Sequence, residues 1–149
     1  MKKEKIIICD LDGTLCNTDH RKHFMQQKPK DWNSFYGGIP NDPINKWCYE
    51  LILKMNAVQP YTNIILVSGR PEKYRKNTED WLHKHGIPAD VFMRKDGDFR
   101  DDAIVKKEIY ETHIKPFYEV LFCIDDRQRV VDMWREEGLV CLQCAKGDF

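Results

Sequence analysis

Residues 5 to 15 read Lys-Ile-Ile-Ile-Cys-Asp-Leu-Asp-Gly-Thr-Leu, so Asp10 and Asp12 stand two apart where an apolar run meets a glycine. Side chains at i and i+2 of an extended chain project to the same side. Gly13 lets the backbone turn sharply and lets a ligand come close. Two acids at the end of a buried strand are costly unless a cation offsets their charge, so the pattern points to a cation-dependent site. Ser68-Gly69-Arg70 follows a second apolar run, Arg94 a third, and Asp125-Asp126-Arg127 a fourth, while Lys106 lies inside the helix predicted before that fourth run. Singly these are turns, helix caps or solvated residues. Polar groups at four successive strand ends, in this order, are not a chance pattern.

The elements that must carry these groups alternate from end to end. Ile6, Ile7, Ile8 and Cys9 form a β-branched apolar run typical of a strand buried on both faces of a parallel sheet. Further strands are predicted over 64–67, 91–93, 119–124 and 139–144. Between the first two, residues 16–42 lack periodicity but hold Phe24, Trp32, Phe35 and Tyr36, which predicts a compact lid or small cap with a short helix. Asp42 is placed as N-cap and Pro43 as first residue of a helix whose stripe of Ile44, Trp47, Cys48, Leu51, Ile52 and Met55 packs on the sheet. Pro71 is expected to open the next helix, with Tyr74, Thr78, Trp81, Leu82 and His85 on one face and Gly86 as its stop. Asp102 is expected to cap a third helix reaching about residue 113. Val130, Val131 and Trp134 mark a fourth, ending at Gly138. Strand–helix alternation implies an α/β fold, a doubly wound, Rossmann-like parallel sheet of about five strands with helices on both faces and a small cap after the first strand. Ligands bind at the carboxyl ends of such strands.

The 149 residues are most simply one domain spanning 1–149. A composition of 42% hydrophobic and 32% charged residues fits a globular protein. No apolar stretch nears the roughly 20 residues needed to span a bilayer, so no membrane partner is expected. Met-Lys-Lys-Glu-Lys runs straight into the first strand, leaving no room for a signal peptide, and a cytoplasmic location is the expectation. Lysine plus arginine and aspartate plus glutamate balance at 24 each, which removes the whole-chain basic field of many nucleic-acid binders but not a local basic rim. The six cysteines read as buried hydrophobes in a reducing compartment; Cys141-x-x-Cys144 has no second pair to complete a zinc site. His20 and His23 lack a third ligand and read as surface residues.

Asp10-Leu11-Asp12-Gly13-Thr14, Ser68, Lys106 and Asp125-Asp126, in that order, resemble the four motifs of the haloacid dehalogenase superfamily of phosphotransferases. The resemblance implies a nucleophilic Asp10, an aspartyl-phosphate intermediate and a required Mg²⁺. Asp12 would protonate the leaving alkoxide and then activate water. The metal would take the Asp10 carboxylate, the Asp12 carbonyl and one or both of Asp125 and Asp126, with Ser68 and Lys106 on the phosphoryl oxygens.

Val67-Ser68-Gly69-Arg70, the Gly97-Asp98-x-Arg100-x-Asp102 segment before Val105-Lys106, Ile124-Asp125-Asp126-Arg127, Met133-Trp134-Arg135 and the terminal Gly147-Asp148-Phe149 are similar to one subfamily. It is the 3′-phosphatase domain of bacteriophage polynucleotide kinase-phosphatase, an end-healing enzyme of nucleic-acid repair. By that resemblance Arg21, Arg70, Arg94 and Arg127 match further active-site arginines, Asp102 supports them, and Thr14 and Gly69 join the substrate-binding set. The implied substrate is the 3′-phosphate end of DNA or RNA. There is no G-x-x-x-x-G-K-[ST] motif for a 5′-kinase, so a separate kinase or ligase, or a second copy of the chain, is the implied protein partner. Two alternatives stand beside this reading, a phosphatase for nucleotides or sugar phosphates and a non-catalytic subunit that binds 3′-phosphate ends. A short cap favours the polynucleotide, because an open crevice admits a chain end.

Overall fold

A computed structural model describes residues 2–58 and 61–147. Asp148 and Phe149, part of the terminal resemblance, lie outside the described residues. Five strands, β1 (Glu4–Cys9), β2 (Asn63–Pro71), β3 (Asp90–Arg94), β4 (Tyr118–Asp125) and β5 (Cys141–Gln143), form one sheet in the order β3-β2-β1-β4-β5. Every pairing is parallel. The chain winds outward from β1 through β2 to β3, then crosses back to β4 on the other side of β1. The carboxyl ends of β1 and β4 therefore flank the point where winding reverses, the place where open α/β sheets leave a crevice.

β1 alternates its side chains between two cores. Ile7 and Cys9 pack with Leu66, Cys48, Ile52, Trp81 and Phe35 on one face, under α3 (Lys46–Ala57) and α4 (Arg75–Lys84). Ile6 and Ile8 pack with Val67, Val105, Ile114, Val131 and Trp134 on the other, under α5 (Asp102–Ile109) and α6 (Gln128–Glu136). The unbroken apolar run of β1 is thus explained by burial on both faces. Between β1 and α3 lies the cap: a 3₁₀ turn at Asp19–Arg21, the short helices α1 (His23–Gln26) and α2 (Trp32–Gly37), and a second 3₁₀ turn at Ile39–Asn41.

Several local expectations change. Helix α3 begins at Lys46 with Asn45 in the cap position, and Asp42 caps nothing. Its carboxylate is taken by Arg21 and His20 instead. Trp47 is 47% exposed and leaves the core stripe to Cys48 and Ile52, with Ile44, Leu51 and Met55 packed beside them. Pro71 ends β2, and a 3₁₀ turn at Glu72–Tyr74 precedes α4. Asp101, whose side chain accepts from the Ala103 amide, caps α5 in place of Asp102. That helix continues as a π-helical turn over Tyr110–Ile114. The last strand is shorter than expected, spanning Cys141–Gln143, with residues 140 and 144 each adding one backbone hydrogen bond to β4 at its ends. All six cysteines are free thiols, five of them buried. No helix among the described residues is long and apolar enough to cross a membrane.

Trp134 is fully buried under the sheet, with its ring edge-on to Tyr110. Trp134→Ala is expected to lower the unfolding free energy by about 3–5 kcal/mol, read as a reduced urea midpoint.

Candidate active site

β1 ends at Cys9, whose parallel partners are Leu66 on β2 and Ile124 on β4. The Asp10 amide donates to the Ile124 carbonyl at 3.0 Å, which carries the pairing one residue past β1 and sets Asp10 beside Asp125. Gly13, at φ 82°, then reverses the chain in a conformation that a side chain would strain. The turn brings back Thr14, whose hydroxyl donates to Asp10 Oδ2 at 3.3 Å. From the end of β4 come Asp125 and Asp126. One carboxylate oxygen each from Asp10, Asp125 and Asp126 lies within 4.8 Å of the others, and all three residues are buried.

Lys106, on α5, reaches into this cluster. Its Nζ donates to Asp10 Oδ1 and Asp125 Oδ2, both at 2.9 Å. One ammonium faces three carboxylates, so the fully ionised cluster would carry a net charge of −2. Burial, then the Asp125 charge, push the Asp10 carboxyl well above its ordinary range. The same two causes raise Asp126 to about 6. Burial pulls against the charge on Lys106, but Asp10 and Asp125 outweigh it and hold the ammonium charged. Only oxygens are offered here, from acids that strain against one another. Such a donor set fits a hard divalent cation such as Mg²⁺, which removes the excess charge.

Asp12 belongs to a different electrostatic unit. It sits beyond the end of β1, so the i, i+2 rule for strands does not fix its direction. Its Oδ1 accepts from Nη2 of both Arg21 and Arg70, each at 2.6 Å, and its Oδ2 from Arg70 Nε at 3.1 Å. Arg21 also donates to both oxygens of Asp42, at 2.7 and 2.6 Å, and its guanidinium lies 4.3 Å from the Phe35 ring centre. Arg70 Nη1 reaches Thr78. Burial opposes ionisation of Asp12, yet Arg70 and Arg21 outweigh it and hold the carboxyl far below its ordinary range. Arg21 and Arg70 are 0% and 1% exposed, so both guanidiniums face carboxylates and not the crevice. Asp42 completes this unit. Sequence reasoning missed it because an Asp before a Pro is a ready helix-start signal, and nothing local marks an ion pair to Arg21.

A third unit joins β2, β3, α5 and α6. Asp102 accepts from Arg94 through Oδ1 and from Arg127 through Oδ2, the latter at 2.6 Å. Arg94 Nε also donates to the Gly69 carbonyl at 2.9 Å. A Cβ on Gly69 would fall 2.7 Å from Asp102 Oδ1, so glycine here permits the acid's close approach. Ser68 is buried beside this unit and its Oγ accepts from the Arg70 amide at 3.1 Å. A crevice of about 440 Å³ opens over the ensemble, with Asp10, Asp12, Lys106, Asp126, Gly69 and Arg127 on its walls. Its outer wall comes from the cap and from the β3–α5 loop. His20 is held by Asp42 at 2.6 Å, so it belongs to the Asp12 unit.

Two outcomes test this electrostatic layout. Asp42→Asn strips a carboxylate from the buried Arg21 and is expected to cost about 3–5 kcal/mol in urea unfolding. In cation-free protein, Asp10 and Asp126 bind protons more tightly when folded than unfolded, so their contribution to stability is lost as pH rises, that of Asp126 through about 6. Mg²⁺ is therefore expected to raise the melting temperature more at pH 7.5 than at pH 5, measured by calorimetry.

Comparison with known proteins agrees with this geometry. The family model for the polynucleotide kinase PNKP phosphatase domain matches residues 4–149. A protein of Autographa californica nuclear polyhedrosis virus, named for a bifunctional polynucleotide kinase/RNA ligase, is 26% identical over 137 residues, 91% of this chain and 18% of its own length. A chain of the Pnkp1/Rnl/Hen1 RNA repair complex superposes with a TM-score of 0.85 at 36% identity, over 99% of this chain and 44% of that one. A second structure of the Pnkp1/Rnl/Hen1 complex gives 0.83 at 38% identity, over 99% and 48%. The chain thus spans less than half the length of each of these relatives. The class C acid phosphatase of Bacillus anthracis shares the fold, with a TM-score of 0.73 at 12% identity, over 100% of this chain and 69% of that one. With its haloacid dehalogenase-like sheet and its acids gathered at the switch point, the chain belongs to the family of polynucleotide kinase PNKP phosphatase domains.

Proposed function

We propose that the chain is a Mg²⁺-dependent phosphomonoesterase that removes the 3′-terminal phosphate of DNA or RNA through an aspartyl-phosphate on Asp10. The observation that carries this reading is the separation of two aspartates into unlike environments. Asp10 lies in the acid cluster beside Lys106, and Asp12 lies between two arginines. Pairs of acids driven apart by their surroundings are the mark of divided chemical roles.

In the first half-reaction an Asp10 carboxylate oxygen bonds to phosphorus and the bond from phosphorus to the 3′ oxygen breaks. That leaving oxygen takes a proton from Asp12, which has first received it from the bound phosphate monoanion. In the second, water gives a proton to Asp12 and attacks phosphorus, freeing Asp10 and inorganic phosphate. Arg21 and Arg70 hold Asp12 ionised, which is the form that accepts the proton from water. We assign those two arginines to positioning Asp12. A Mg²⁺ held by Asp10, Asp125, Asp126 and the Asp12 carbonyl would cancel repulsion between the attacking carboxylate and the phosphate dianion. Lys106 is fixed by two acids and stabilises charge on the phosphoryl oxygens, and we assign Thr14, bonded to Asp10, and Ser68, near the end of β2, to the same group. Arg94 and Arg127, tied together by Asp102 at the crevice wall, suit the neighbouring backbone phosphate.

The polynucleotide substrate is supported by the family match and by relatives named for polynucleotide kinase, RNA ligase and RNA repair. Kinase and ligase modules, in the same or separate chains, are the partners this reading implies.

A phosphate-release panel tests it, using 3′- and 5′-phosphorylated oligonucleotides and mononucleotides with and without EDTA. Release from 3′ ends only, abolished by EDTA and by Asp10→Asn, is expected. Lys106→Ala is expected to lower kcat about 10²–10³-fold. Turnover by Asp10→Asn, or a preference for free nucleotides, would overturn the proposal.

A further inference from the structure

The crevice holds far more room than a phosphoryl group requires, at about 440 Å³, a volume in the range of sites for whole small ligands. Beyond the acids its wall turns aromatic. On the cap, the Trp32 and Tyr36 rings stack at 5.8 Å and 20° between planes, and Tyr36 meets Tyr74 at 4.7 Å. Trp32 keeps 47% of its surface in water. Facing the same crevice from the β3–α5 loop is Phe99, which is 94% exposed. A phenylalanine this exposed adds nothing to the core, yet its backbone is fixed. Arg94 Nη1 donates to the carbonyls on either side of it, those of Asp98 and Arg100, at 3.0 and 2.6 Å. Arg100 in turn is clamped by Asp98 and Glu108.

Cations interleave these rings. Lys30 Nζ lies 5.6 Å from the Trp32 ring centre and Lys73 Nζ 5.3 Å from that of Tyr74, and Lys95 stands on the same wall. Among the described residues, none of the three is ion-paired. Exposed aromatic faces beside unpaired cations, continuous with a phosphate-handling site, form a surface for unpaired bases and the backbone that links them. A blunt duplex end offers only the outer face of its terminal pair, and its bases must unpair before successive ones can lie against separate rings.

We propose that Trp32 and Phe99 are specificity-determining residues that stack on the unpaired bases next to the 3′ phosphate, so that single-stranded ends are preferred to blunt duplex ends. The inference rests on the 3′-phosphatase reading and adds to it which ends are taken and which side chains choose them.

Steady-state kinetics on a 3′-phosphorylated single strand, in DNA and in RNA form, test it against an abasic version and a blunt duplex. Trp32→Ala and Phe99→Ala are each expected to raise KM for the base-bearing strand about tenfold, the size of one base–aromatic stack, with kcat unchanged. The wild-type enzyme is expected to show about a hundredfold rise on the abasic strand, which loses both stacks, and on which the variants lose nothing further. Phe99→Trp should restore the lower KM. Equal KM values for variant and wild type on the base-bearing strand, or for blunt and single-stranded ends, would overturn this inference while leaving the phosphatase reading intact. Phosphate release by the wild type from mononucleotides but from no 3′ end would overturn both.

Discussion

Three carboxylates buried around one ammonium set the terms for everything near the crevice. Asp10, Asp125 and Asp126 converge where β1 and β4 end, and Lys106 answers only part of their charge. A parallel sheet makes that convergence cheap in backbone terms, because the switch in winding direction opens a gap at those two strand ends. It leaves the electrostatic cost standing, since unpaired ions far from water are strongly disfavoured. The residual negative charge is what a divalent cation would relieve. Binding of such a cation would thereby be linked to stability through the same few residues.

A second constraint keeps Asp12 out of that cluster. Arg21 and Arg70 bind it, and Asp42 balances Arg21, so acid and base alternate through the interior beneath the cap. Pairs of this kind add little net stability when intact, because desolvation offsets attraction, and they are costly to break. Their value lies in direction: a bidentate guanidinium fixes both the charge and the orientation of a carboxylate. The cap is therefore more than a cover. Arg21 enters from its first 3₁₀ turn, and Phe35, on its second helix, packs against that guanidinium.

Much of the frame was legible from local pattern. The Ile6-Ile7-Ile8 run, the polar residues closing each apolar stretch and the alternation of strand and helix are short-range features, and they identified the parallel sheet and the place of Asp10, Lys106 and Asp125. Errors fell where a local signal competed with a distant partner. Asp42 before Pro43 carried a helix-start signal, but an arginine 21 residues earlier claimed its carboxylate. Asp102 was expected to cap its helix, but Asp101 does so, leaving Asp102 to bridge Arg94 and Arg127. Trp47 fits a helical stripe by spacing, yet the space below α3 is filled by Cys48, Ile52, Leu51 and Met55.

By itself the sequence determined the chemical inventory and its order along the chain, because strand periodicity and turn residues act over a few positions. Only the tertiary structure decided how the charges divide: which acids share Lys106, which one the two buried arginines hold, and which aromatics stay in water at the mouth of the crevice. Those outcomes depend on pairs far apart in the chain, such as Asp12 with Arg70 or Lys106 with Asp10, whose partners are chosen by packing and burial. No local pattern encodes that choice.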